Sequence, residues 1–222
     1  MRPILHLPNN NQTSQHITNL IATKMDFSIT QIEKKQLTNI NNIIEQQDAA
    51  LLIIGLDNNN QIQPYLNQCR NLRIPYIFIK NNLPHNYNIN NIILPITNLE
   101  EEREKAPFTS SFARHFNCPI TIYQPNDYGT KAANNIQTIT HLFDTLNLQH
   151  TTQKGKKNST NIQLEAATQN KNQQNTLLII TASRDYGLDD ILFGPQEKKI
   201  IKNNPQPTML INPRGDLYTL CD

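Results

Sequence analysis

Residues 176–214 read TLLIITASRDYGLDDILFGPQEKKIIKNNPQPTMLINPR. The stretch opens on an apolar run of strand length, crosses a polar loop, and reaches Gly194-Pro195 ahead of a charged amphipathic segment. It closes on an apolar strand led by a proline. A short continuous apolar run is what a strand covered on both faces requires, which is the situation of a parallel sheet between helices. The first half repeats the order: ALLIIGL at 50–56, a loop, a helical stretch at 64–72, and PYIFIK at 75–80. A recurrence of this kind within one chain points to a duplicated unit.

Working outward, short apolar runs alternate with helical-length polar stretches, the pattern of parallel α/β layering. Strands are expected at 3–7, 27–30, 50–56 and 75–80, and then at 91–96, 119–124, 148–153, 176–181 and 207–212. Helices are expected at 13–24, 32–44, 64–72, 99–116, 132–146, 160–168 and 196–202, with Ser159 or Thr160 as the cap of the sixth. The polar, proline-containing stretch 81–90 is the best boundary. The expected organisation is a shortened first α/β domain over 1–80, a linker over 81–90, a full domain over 91–214, and a tail over 215–222. The first copy lacks one helix and one strand that the second contains.

The composition limits the partners. Twenty Lys and Arg against eighteen Asp and Glu leave a net charge of +2, too small to suggest nucleic acid or a charged membrane surface. No segment approaches the ~18 apolar residues of a membrane span, and the first residues are too short for a signal peptide. Three widely spaced cysteines, Cys69, Cys118 and Cys221, form no disulfide framework or metal motif, which suggests a reducing, cytoplasmic address. Asn and Gln together outnumber the charged residues. Their runs are short and the apolar periodicity around them is intact, so they read as polar loops and exposed faces.

With its closing DDILFGPQEKKIIKNNPQPTMLINPR, this order of elements resembles the universal stress protein family. The resemblance spans residues 92–214, with 1–80 as a truncated second copy. It implies Rossmann-like, parallel-sheet domains in tandem. It also implies a loop of pattern G-x2-G-x9-G-[S/T] after the fourth strand, where nucleotide-binding members hold ATP phosphates, and an Asp just after the first strand. On this sequence the four loop positions fall at Thr181, Arg184, Gly194 and Pro195, and the Asp position at Thr97. Only Gly194 keeps the pattern. In the first half Gly55 matches the first glycine, while Asn58 and Gln68 hold the later positions.

Side chains at Thr181 and Arg184 crowd the space that phosphates need, and Pro195 removes a hydroxyl and an N–H. Two lost charge-assisted bonds weaken binding by roughly 10²–10⁴-fold. Lys198 and Lys199 read as a solvated helix face. Gly194 is expected at the N-cap of the last helix, with Pro195 in its first helical position. The expected function is therefore a non-enzymatic stress-response or regulatory binding module with an unidentified protein partner and no cofactor. The alternatives are an ATP- or AMP-binding protein with a divergent second-half site, and a dimerisation scaffold.

Other patterns carry less. KGKKNST at 154–160 imitates a Walker loop but has His150 where a glycine is required, so it reads as a basic surface loop. The six histidines show no metal-ligand spacing, and EEER at 100–103 reads as a helix N-terminal charge cluster. The RGD at 214–216 is coincidental, and the apolar tail residues after it are expected to pack on a neighbouring surface. The strands at 76–79 and 208–211 are both apolar and both led by proline. An apolar edge needs covering, so they are expected to pair antiparallel within the chain, making a pseudo-two-fold unit.

Overall fold

The computed structural model describes the whole chain except Asn11, His85, Tyr128, Gly129 and residues 184–194 and 215–222. Arg184, Gly194, the tail and Cys221 therefore lie outside the described residues. Among those described, the first half runs β1 (Pro3–Leu7), α1 (Thr13–Met25), β2 (Ser28–Gln31), α2 (Ile40–Gln47), β3 (Leu51–Leu56), α3 (Ile62–Cys69) and β4 (Tyr76–Lys80). The second runs β5 (Asn91–Pro95), α4 (Lys105–Phe116), β6 (Ile120–Gln124), α5 (Thr130–Thr145), β7 (His150–Lys154), α6 (Ile162–Gln169), β8 (Thr176–Thr181), α7 (Gln196–Asn203) and β9 (Thr208–Ile211).

All nine strands form one sheet in the order β2-β1-β3-β4-β9-β8-β5-β6-β7. Every ladder is parallel except one. β4 and β9 run antiparallel, with Tyr76 opposite Leu210, Ile77 opposite Met209 and Phe78 opposite Thr208. Outward from that junction both sides follow the same sequence: last strand, second-to-last strand, first strand, second strand. The C-terminal side then adds β7, which has no counterpart among the described residues of the other flank.

The strand alternation divides the core into two layers. Leu52, Ile54, Tyr76, Phe78, Ile93, Leu178, Ile180 and Leu210 pack on one face with residues of α2, α3, α6 and α7. Ile53, Ile77, Ile79, Ile92, Leu94, Ile179 and Met209 pack on the other with residues of α1, α4 and α5. Both layers run unbroken across the β4–β9 junction. The described residues of 81–90 form no strand or helix, yet Leu83, Tyr87 and Ile89 are buried in the second layer. The Tyr87 hydroxyl donates to the Thr176 carbonyl at 2.6 Å.

The helix ends differ from the sequence expectation. The 99–116 stretch begins as a 3₁₀ turn (Glu100–Glu104) and becomes α-helical only at Lys105. The second helix likewise starts with a 3₁₀ turn (Lys34–Asn39). Neither Ser159 nor Thr160 caps α6, whose N-cap is Asn161 without a side-chain bond. Ser159 is instead tied to the preceding loop, its amide donating to Asp127 at 2.9 Å. Pro195 is the N-cap of α7, not its first helical residue: it sits at ψ 153° in extended backbone. Its carbonyl accepts from the Lys198 amide at 3.0 Å.

Candidate functional site

In an open parallel sheet, crevices form beyond the carboxyl ends of the strands where successive connections leave in opposite directions. The chain leaves β5 towards β6 and β7, then returns to lay β8 on the other side of β5. A cleft of about 240 Å³ sits at that point. It is bounded by Thr97 and Asn98 after β5, Ser159 and Gln163 at the start of α6, Thr181 at the end of β8, and Glu197 in the first turn of α7. The structure thus brings together Thr97 and Thr181, and with them the helix that Pro195 opens. Arg184 and Gly194, the other two sequence-derived positions, fall in the stretch not described.

A buried polar scaffold fixes the turn after β5. The Thr97 hydroxyl donates to Glu102 Oε1 at 2.9 Å and accepts from the Leu99 amide at 3.3 Å. Asn135 Nδ2 donates to the carbonyls of Thr97 and Leu99 at 3.1 and 2.7 Å. Beneath the turn, Lys105 Nζ donates to the Pro95 carbonyl and pairs with Glu102. Both side chains are 0% exposed. Burial pushes the Lys105 ammonium below the ordinary lysine range, and the Glu102 charge opposes that shift. Thr97, standing where the resemblance places an Asp, is therefore engaged from within the chain.

Glu197 shows the same habit at the other wall. Its side chain is buried, and Oε1 accepts the Ser183 amide just beyond β8. A carboxylate in the first turn of a helix is favoured by the exposed N–H groups there. Its second oxygen, Oε2, is buried without a partner, as are Thr181 Oγ1 and Asn98 Oδ1, while the Ser159 side chain is engaged by Asp127. The basic loop at 154–160 is likewise claimed from inside: Glu165 accepts the Lys156 amide at 2.9 Å and the Lys157 amide at 2.8 Å. At Gly155 a Cβ would lie 3.2 Å from the Gln124 carbonyl oxygen and against the Ile162 side chain, so the glycine suits the close approach of this loop to β6.

The first half has the equivalent crevice between β1 and β3, a more open hollow of about 550 Å³ that includes Pro8, Asn10, Gly55, Asp57 and Tyr65. Asp57 Oδ1 accepts the Asn10 amide at 2.8 Å, and this bond, ahead of weaker contacts, holds its carboxyl below the usual range. Gly55, the one matching glycine there, is explained by packing. A Cβ would sit 2.5 Å from Ser14 Oγ and 2.6 Å from the Asn9 amide, because the β1–α1 loop crosses directly over it.

Among the described residues, catalytic arrangements are sparse. His6 Nε2 lies 3.0 Å from Ser14 Oγ, but both residues are fully buried. A nucleophile and base need an open approach to the substrate. Among the described residues there is no group of three or more His, Cys, Asp or Glu able to hold a metal. No described helix is long and apolar enough to cross a membrane. Sequence reading missed Glu197, Ser159 and the Glu102–Lys105 pair. Glu197 was signalled by its place three residues after Gly194, in the first turn of an expected helix.

No protein-family model and no curated protein matches the sequence. Solved structures do resemble the fold. A universal stress protein from Archaeoglobus fulgidus DSM 4304 superposes with a TM-score of 0.63 at 10% identity, over 97% of this chain and 88% of that one. A functionally unknown protein from Pseudomonas aeruginosa PAO1 gives 0.57 at 11% identity, over 95% and 82%. Together with the mostly parallel nine-stranded sheet, these likenesses show that the chain has the Rossmann-like α/β fold found in universal stress proteins.

Proposed function

We propose that the protein is a non-enzymatic, universal-stress-type regulatory binding module in which the chain's own carboxylates have taken the place of nucleotide phosphates. In this reading the two flanks of the sheet are tandem copies, one over 1–80 and one over 91–214, joined through 81–90. The first copy has dropped its outermost strand, and the protein acts in the cytoplasm on a protein partner. The observation that carries the proposal is the buried Glu197 carboxylate on the Ser183 amide, at the mouth of the switch-point cleft. An amide already bonded to an anion has nothing to offer a phosphate, and a second negative charge beside that anion is repelled in a poorly solvated site. Asp57 on the Asn10 amide supports the same reading for the first half.

Calorimetric titration with ATP and AMP, with and without magnesium, tests the proposal. The expected result is no heat of binding up to millimolar nucleotide. Micromolar affinity, or nucleotide retained through purification, favours the alternative of a divergent ATP or AMP site, for which the unpartnered Thr181 hydroxyl is the supporting observation. The scaffold alternative draws on the β4–β9 pairing, which places inside one chain a contact that two chains could otherwise share. Light scattering at micromolar concentration distinguishes a monomer from a dimer.

A further inference from the structure

The same cleft that disfavours phosphate has the features of a site for the opposite charge. Glu197 is the only ionisable residue among the described residues that line it. One of its oxygens is committed to Ser183, and the other is buried and unpartnered. Thr181 Oγ1 and Asn98 Oδ1 are unpartnered acceptors in the same lining. Thr181 is 4% exposed, so bulk water does not readily serve it. A buried carboxylate oxygen without a hydrogen-bond donor is unfavourable, and a cationic donor relieves it. The rest of the wall includes the apolar Leu99, Ala182 and Ile200.

We propose that this cleft binds a small aliphatic primary amine, its ammonium on Glu197 Oε2 and its carbon chain against the apolar wall. The proposal rests on the reading that Glu197 stands in for a phosphate. An ammonium suits the site better than a guanidinium. It presents three donors from one point, matching one carboxylate oxygen and the neighbouring neutral acceptors, whereas a guanidinium favours two parallel bonds to a carboxylate. Here one oxygen of that carboxylate is already taken by a backbone amide. The cleft of about 240 Å³ has room for a short carbon chain.

The test is calorimetry and thermal unfolding of the full chain at pH 7.5 with four probes: n-butylammonium, tetramethylammonium, inorganic phosphate and AMP. Butylammonium is expected to bind and raise the unfolding midpoint, while tetramethylammonium, which has the charge but no N–H donor, does neither. Glu197→Gln should weaken butylammonium at least about tenfold, and Thr181→Val several-fold. Thr181→Val decides the matter if Glu197→Gln fails to fold. Equal binding of tetramethylammonium, no butylammonium binding at millimolar concentration, or affinity unchanged in the variants that fold overturns the inference. Absence of both amine and AMP binding removes this inference alone, whereas AMP binding removes the reading on which it rests.

Discussion

Several buried polar residues carry consequences that can be measured one at a time. Burial holds the His6 imidazole far below its ordinary value, at about 4, against weaker support from Gln15. The unfolded chain takes up a proton near pH 6.5 and the folded chain only near pH 4, so between these values the unfolded state binds more protons. Stability is therefore full above pH 6.5 and declines as pH falls towards 4, by up to about 3 kcal/mol. Urea midpoints at pH 7.5, 6.0 and 4.5 should show the decline, and His6→Gln should flatten it; an equal slope in the variant would assign the acid sensitivity elsewhere. Lys105 is the second such residue. Lys105→Met leaves Glu102 charged and buried without its partner, which costs about 3–5 kcal/mol. The double variant with Glu102→Gln should recover much of this loss in chemical denaturation, and a double variant as unstable as the single would show that the pair is not the cause.

At the scale of elements, the strands were legible because parallel strands buried on both faces must be apolar throughout. The runs at 51–56 and 176–181 admit no other placement and are buried along their whole length. Helix ends were harder to read. The chain has only six glycines, and the left-handed positions that often take glycine are held by Asp26, Asp48 and Asn117 at the ends of α1, α2 and α4. Short polar side chains tolerate that conformation, and Asn147 and Asn175 adopt it as Asn117 does, so part of the amide richness has a backbone role that composition alone does not reveal. The inward turn of Lys105 was equally hidden. A lysine beside four glutamates reads as surface, and the Pro95 carbonyl and the buried Glu102 carboxylate together draw it inside. Gly55 is the glycine whose position was legible but whose reason was not. Gly55→Ala should destabilise the protein by about 1–3 kcal/mol, since the β1–α1 loop must move off β3. A midpoint unchanged within error would mean that the loop yields freely.

For the whole molecule, the central question is whether the two flanks of the sheet unfold together. One sheet and two apolar layers cross the β4–β9 junction without a break. A polar clasp reinforces it: Asn212 Nδ2 donates to the Cys69 and Leu72 carbonyls at 2.7 and 3.0 Å, and its Oδ1 accepts the Tyr76 hydroxyl at 2.9 Å. All three partners belong to the first half, and Asn212 itself is at the end of the last strand. Contacts of this reach couple distant parts of the chain into one cooperative unit, because neither flank can leave without exposing the other's core. Wild-type unfolding should therefore be a single transition, seen alike by far-ultraviolet circular dichroism and by tyrosine fluorescence. Asn212→Ala leaves two buried carbonyls and a buried hydroxyl without that partner and should cost about 2–4 kcal/mol. Because the clasp joins both flanks, the loss should move the one transition as a whole. Hydrogen exchange read out by peptide can follow each flank separately. If exchange in Asn212→Ala quickens only over β1 to β4 while β5 to β8 keep wild-type protection, the flanks are independent units that merely touch.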